Sequence, residues 1–298
     1  MILLNPGPVN LSDRVRAALT APDLCHREPE FAGLQGAIRR RLLEVYGLAE
    51  PLWSAVLLSG SGTAAVEGML ASLMPVAGKL LVLENGVSGA RMAEIAACYD
   101  IPCRVLRRPW GEPFELDAVE QELAAGAGIR HVAAVHHETT TGRLNDLQAL
   151  ARCCRAHGAA LLVDAVSSFG AEALELDDPA IAACAASANK CLHGAPGVSF
   201  VVLRRDALPA LPSPRSVSLD LARHRRAQDA HTTAFTPAVP AFYALLEALE
   251  ELEEAGGWRE RRARYAKLAG GVEEGLAALG VRPLRPDGAR SVVLRAYH

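Results

Sequence analysis

Short, nearly continuous apolar runs recur along this chain, and between them lie longer runs whose apolar positions return every three or four residues. The short runs fall at residues 55–60, 79–85, 102–108, 131–137, 160–166, 181–188 and 198–205. A strand covered on one face alternates apolar and polar residues, whereas a strand covered on both faces does not. These runs therefore predict the centre of a mostly parallel sheet. The longer runs predict helices over 62–74, 89–100, 116–126, 146–158, 240–257 and 258–279. Alternation of this kind implies an α/β layered fold, a seven-stranded sheet between helices, with active-site loops at the C-terminal strand ends. The proline-rich 207–216 reads as a loop leaving the sheet. The last run, 291–298 (SVVLRAYH), reads as a strand opening a second, smaller sheet. A lone strand with unpaired edges is not a stable ending, so the chain is expected to stop short of a complete domain. The expected organisation is an N-terminal arm (1–20), a large domain (21–256) and the start of an incomplete small domain (257–298).

Composition narrows the function classes. At 298 residues the chain can bury a large core, and its net charge of −3 gives no electrostatic case for nucleic acid or an anionic membrane. No apolar run is long enough to span a bilayer and no charged-then-apolar leader opens the chain, which predicts a cytoplasmic protein. Seven cysteines, an odd number without a C-x-x-C pair, suggest reduced thiols used for packing. Of 31 basic residues, 28 are arginine; the lysines are Lys79, Lys190 and Lys267.

That bias draws attention to Lys190 in SANKCLHGAPG (187–197), an uncharged run of small residues. Lysine sheds its proton when desolvated and can attack a carbonyl, which a guanidinium cannot do. A surface lysine beside a turn is the plainer alternative. Upstream, LLSGSGTAAVE (57–67) carries a strand through small residues straight into a helix. Its N–H groups, with the hydroxyls of Ser61 and Thr63, could close around an anion; a capped helix after a tight turn reads equally from the string. The stretch has neither a Walker ending nor the G-x-G-x-x-G spacing, which disfavours a nucleotide-binding protein. In ALLVDAVSSFG (160–170), Asp164 ends a buried strand, where a carboxylate needs a cation; capping and metal ligation are the alternatives, and no ligand cluster accompanies it. Together the three elements supply an anion cup, a carboxylate for a pyridine nitrogen and an amine for an aldehyde, the needs of a pyridoxal 5′-phosphate site.

Nine stretches in order, among them LLNPGPVNLSDRVRAAL, LLSGSGTAAVE, ENGVSGARM, VHHETTTGRLN, VDAVSSFG, SANKCLHGAPG and AFTPAVPAF, resemble class V, fold-type I pyridoxal-phosphate aminotransferases over essentially the whole chain. The strings ETTTG and SANKC point to the phosphonate-handling subgroup. The resemblance implies amino transfer from 2-aminoethylphosphonate to pyruvate. Exchange between other donors and acceptors, such as alanine–glyoxylate or serine–pyruvate, a class V lyase and a non-catalytic homologue are the alternatives. It also implies roles: Lys190 joins the cofactor aldehyde, Asp164 faces the ring nitrogen, Ser61, Gly62 and Thr63 take the phosphate, and Thr139 lies beside the ring. Thr236 would reach the phosphate in the neighbouring subunit of a homodimer. His26 and Arg27 would lie near the substrate mouth, or else form a loop held by Glu28 and Glu30. Two departures stand out. Ser88 occupies a position where the family usually stacks an aromatic residue on the cofactor, and the arginine expected to clamp the substrate carboxylate is absent before His298.

Overall fold

The computed structural model describes residues 2–125, 128–208, 214–284 and 289–298. In chain order its first elements are α1 (Asp13–Ala18), α2 (Pro29–Glu44), β1 (Trp53–Ser59), α3 (Gly62–Leu73), β2 (Lys79–Glu84) and α4 (Val87–Cys98). Next come β3 (Cys103–Arg107), α5 (Leu116–Ala125), β4 (Ile129–Val135), β5 (His137–Glu138), β6 (Arg143–Leu144) and α6 (Leu147–Ala156). The remainder are β7 (Ala160–Asp164), β8 (Ile181–Ser187), β9 (Val198–Arg204), α7 (Leu221–Asp229), α8 (Val239–Glu254) and α9 (Gly257–Ala278).

Seven strands form one sheet in the order β1-β9-β8-β7-β4-β2-β3. Only β9 runs against its neighbours, β1 and β8; the other pairs are parallel. The apolar runs lack alternation because successive side chains feed two separate cores. Leu57, Leu81, Leu161, Val163 and Phe200 pack with Phe31, Ile38, Leu150 and Phe242 on one face. Val56, Leu58, Leu80, Val82, Leu162 and Val201 pack with Val66, Met69, Leu70 and Met92 on the other. Period-two geometry thus turns one continuous run into two buried faces.

The seven expected strands and the expected helices are present, their ends shifted by a few residues. The expected end of α5 at residue 126, and part of the 207–216 loop, lie outside the described residues. Three helices, α1, α2 and α7, and the β5–β6 hairpin were not anticipated. Their signals are local: Ser12 and Asp220 accept hydrogen bonds as N-caps, and Pro29 opens α2.

Residues 291–298 correct the expectation of a strand. Among the described residues they form no ladder, only an isolated bridge between Pro283 and Tyr297. Their backbone groups are satisfied one by one: Ser291 N donates to Gly142 O at 3.1 Å and Val292 N to Glu172 Oε1 at 2.7 Å. Among the described residues, no helix is long and apolar enough to cross a membrane.

Candidate active site

The parallel strands β4, β7 and β8 end on the same side of the sheet, and the turns that follow them meet the N-terminus of α3. Between them lies a cavity of about 560 Å³ lined by Gly60, Ser61, Gly62, Thr63, Ser88, Thr139, Asp164 and Lys190. Seven of the sequence-chosen positions are therefore not scattered: Ser61, Gly62, Thr63, Ser88, Thr139, Asp164 and Lys190 share it, with Gly60 leading in. Thr236 does not; it lines a separate small cavity with Ser59, Gln228 and Phe235. Arg27 borders a shallow depression with Arg40 and His231, and among the described residues it forms no ion pair with Glu28 or Glu30. His26, half-buried beside it in sequence, is likewise outside the cavity lining.

Asp164 ends β7 with 8% of its surface exposed, and its Oδ1 accepts from Val166 N at 3.0 Å. Burial lifts its carboxyl from 3.8 to about 6, against opposing pulls from that hydrogen bond and from the charges of Arg91 and Lys190. A carboxylate that is costly to ionise alone is well matched to a bound cation. Lys190 sits in the turn after β8, half-buried, and its Nζ donates to Gly7 O at 3.1 Å. Desolvation lowers its affinity for a proton, with Cys191 and Asp164 pulling the other way. Gly7 is required by close approach: a Cβ there would lie 2.3 Å from Lys190 Cδ, and its φ of +148° disfavours any side chain. Lys190 also borders a second, more apolar cavity of about 480 Å³, reached from Leu4, Pro6, Tyr265 and Val292.

The cup at α3 is equally constrained. Ser61 caps the helix by accepting from Ala64 N, which leaves its hydroxyl proton free to donate. A Cβ on Gly62 would meet Val166 Cγ1 at 2.6 Å, so the glycine lets the helix start come down onto the turn after Asp164. Amides at such a start carry partial positive charge toward the cavity.

Three residues escaped the sequence reading. Glu138 is fully buried and accepts from Ser88 N at 3.0 Å, Ser88 Oγ at 3.4 Å and Thr140 Oγ1 at 2.8 Å. Its side chain fills the space a Cβ on Gly86 would need, the nearest approach being 2.3 Å. Ser88 is thus tied to a buried carboxylate. His137 lines the cavity at 2% exposure; its Nδ1 lies 3.0 Å from Ser167 O, which can only accept, so Nδ1 bears the proton. Burial lowers its basicity and keeps the ring neutral. Arg91, four residues into α4, completes the charged lining. A His-His-Glu run directly after an apolar strand was the available signal for two of the three. Cys191, next to Lys190, is buried, and burial pushes its thiol up to about 12, which disfavours the nucleophilic thiolate.

Comparison with known proteins gives this geometry a family. The model of the family described as "Aminotransferase class-V" matches residues 56–293. A protein of Vibrio vulnificus named 2-aminoethylphosphonate–pyruvate transaminase is 37% identical over 305 residues, covering all of this chain and 82% of the relative. A protein of that name from Aeromonas hydrophila is 39% identical over 308 residues, again covering all of this chain and 80% of the relative. Among solved structures, an aspartate aminotransferase from Thermus thermophilus superposes with a TM-score of 0.90 at 30% identity, over 100% of this chain and 82% of that one. An alanine–glyoxylate aminotransferase from Nostoc sp. does so with a TM-score of 0.90 at 28% identity, over 98% and 78%. The fold expected from the sequence, fold-type I, is the one these enzymes share. The chain belongs to the class V aminotransferase family.

Proposed function

We propose that this chain moves the amino group of 2-aminoethylphosphonate to pyruvate, with Lys190 and Asp164 as its catalytic residues. The reading is supported by full-chain similarity to relatives bearing that name and, above all, by one observation. Lys190, Asp164 and the α3 N-terminus, far apart in sequence, border a single cavity.

The family's cofactor is pyridoxal 5′-phosphate, and the residues present fit it. The cup offers uncharged donors where a phosphate ester would sit, with glycine at 60 and 62 leaving room. Ser187 Oγ, buried on the cavity wall without a hydrogen-bond partner among the described residues, is a further donor for such a group. When bound, the cofactor supplies an aldehyde that exchanges with amines and a ring that takes up electron density as a proton leaves the substrate carbon.

The protein's part follows from its own groups. Ser61, Gly62 and Thr63 hold the phosphate, and Thr139 borders the ring. Asp164 would face the ring nitrogen, where its carboxylate would favour the protonated ring. Lys190, its proton affinity lowered by burial, would hold the cofactor aldehyde through its Nζ, and the same amine would be placed to move the proton at the substrate carbon. Gly7 O orients that amine. Neutral His137 adds no competing cation. In this reading residues 21–256 carry the cofactor site, and residues 257–298 open a smaller unit.

We also propose that two copies complete the site. Thr236 lies away from the cavity within one chain, which fits the expectation that it serves a neighbouring subunit.

The test is to load the purified protein with pyridoxal 5′-phosphate and measure alanine formed from pyruvate across amino donors. Turnover with 2-aminoethylphosphonate, lost in Lys190→Ala, is the expected result. Turnover with alanine and glyoxylate but none with the phosphonate would reject the donor while keeping the family chemistry.

A further inference from the structure

Arg91 is the charged side chain of the cavity that the reading above leaves without a task. Val87, Ser88 and Arg91 share one face of α4 by helical spacing, and all three border the cavity. Arg91 makes no hydrogen bond or ion pair among the described residues. Several other arginines are paired: Arg14 with Glu247, Arg39 with Asp229, Arg155 with Asp178 and Arg262 with Glu172. The two buried carboxylates beside the cavity have bonds of their own. Glu138 holds the start of α4 and Thr140, and Asp164 holds Val166 N. The charge of Arg91 reaches the reacting groups, since it lowers the proton affinity of both Asp164 and Lys190.

The cavity thus offers two anion-binding places of different chemistry. One is the uncharged cup of amides and hydroxyls at α3. The other is a single guanidinium, whose planar fork grips two oxygens of a tetrahedral oxyanion at once. Two such places call for two anions, and the cofactor brings one phosphate. An amino donor whose nitrogen is handled at Lys190 and whose anion is two carbons away would put that anion near Lys190 as well. We propose that Arg91 is the specificity residue for the donor's anionic end, binding the phosphonate of 2-aminoethylphosphonate from the α4 side of the cavity. The proposal deepens the transaminase reading and rests on it for the identity of the donor.

The experiment compares the cofactor-loaded wild type with Arg91→Gln and Arg91→Lys. A charge-assisted hydrogen bond contributes about 1.5–3 kcal/mol, which converts to roughly 10- to 150-fold in affinity. Arg91→Gln is expected to raise the KM for 2-aminoethylphosphonate within that range, with kcat and the KM for pyruvate moving less than about 3-fold. Arg91→Lys recovers part of the loss, and the visible absorbance of bound cofactor is unchanged in both variants. Calorimetric binding of methylphosphonate to the loaded protein falls in parallel. An unchanged KM for the phosphonate donor overturns the proposal. So does an equal rise for both substrates, or a loss of cofactor that accounts for the defect. If the wild type does not use 2-aminoethylphosphonate, the transaminase reading has failed, and methylphosphonate still decides the role of Arg91. Weaker binding to Arg91→Gln supports an anion site there, and equal binding refutes it.

Discussion

The floor of the cavity and the segments that border Lys190 from the other side are held by different forces. The floor is the end of the central sheet: every residue of β8 is buried, and β7 and β4 are buried on both faces. The bordering side consists of the N-terminal arm, α9 and residues 289–298. α9 has no buried residue, and Leu268 and Val272 on it are more than half exposed. Val15 of the arm joins a small apolar cluster with Ala195, Ala244 and Ala248, and Trp258 of α9 lies against Tyr46, but residues 291–293 are fastened by polar contacts. Glu172, fully buried, accepts from Ser291 Oγ and Val292 N, both at 2.7 Å, and pairs with Arg262 at 3.2 Å. Apolar burial fixes Asp164 and the turn of Lys190 without regard to direction of approach. Directional bonds hold residues 291–293, and such bonds can be undone singly.

The same substitution in the two regions should break this comparison most sharply. Leu162→Ala, in β7 with no exposed surface, is expected to cost about 3–4 kcal/mol by denaturant unfolding, since it opens a cavity in a packed core. Glu172→Gln comes next. It removes a buried charge that accepts from the buried Ser291 and Val292 and pairs with the partly exposed Arg262, and is expected to cost about 1–3 kcal/mol. Hydrogen exchange should locate the loss: the amides of Val292 and Val293 exchange faster, and those of β7 and β8 stay protected. Uniform loss of protection would mean that the bordering side is not separately fastened.

Asp164→Asn sharpens the comparison from the other direction. Because burial lifts Asp164 from 3.8 to about 6, the folded chain keeps a proton that the unfolded chain releases. Its contribution to stability is full below about pH 4 and declines as pH rises through about 6. At pH 8 the cofactor-free Asn variant should therefore be more stable than wild type by about 2 kcal/mol, and near pH 3 the gap should close. The same variant should hold pyridoxal 5′-phosphate more weakly. A less stable cofactor-free variant at pH 8 would contradict the burial argument. At the small end, Leu268→Ala on α9 is expected to change stability by less than about 0.5 kcal/mol.

How much could be read beforehand follows the same division. The strands were legible because a run covered on both faces has no polar positions to interrupt it. Lys190 stood out against a background of arginine, and Asp164 and the cup could be placed by strand-end logic. Gly7 and Arg91 could not, since Gly7 works through Lys190, far along the chain, and Arg91 through an absence of partners; Glu138 left only its place after two histidines as a signal. Residues 291–298 misled because β-branched composition suggests a strand, whereas here the amides are taken by the Glu172 carboxylate and the Gly142 carbonyl. Composition reports what a segment could pair with, not whether a partner strand is in reach.

The most direct measurement uses the scarcity of lysine. Borohydride reduction of the protein loaded with pyridoxal 5′-phosphate, followed by peptide mass analysis, should fix the cofactor on the peptide containing Lys190, with no adduct in Lys190→Ala. An adduct on Lys79 or Lys267, or an equal yield from the alanine variant, would contradict the account.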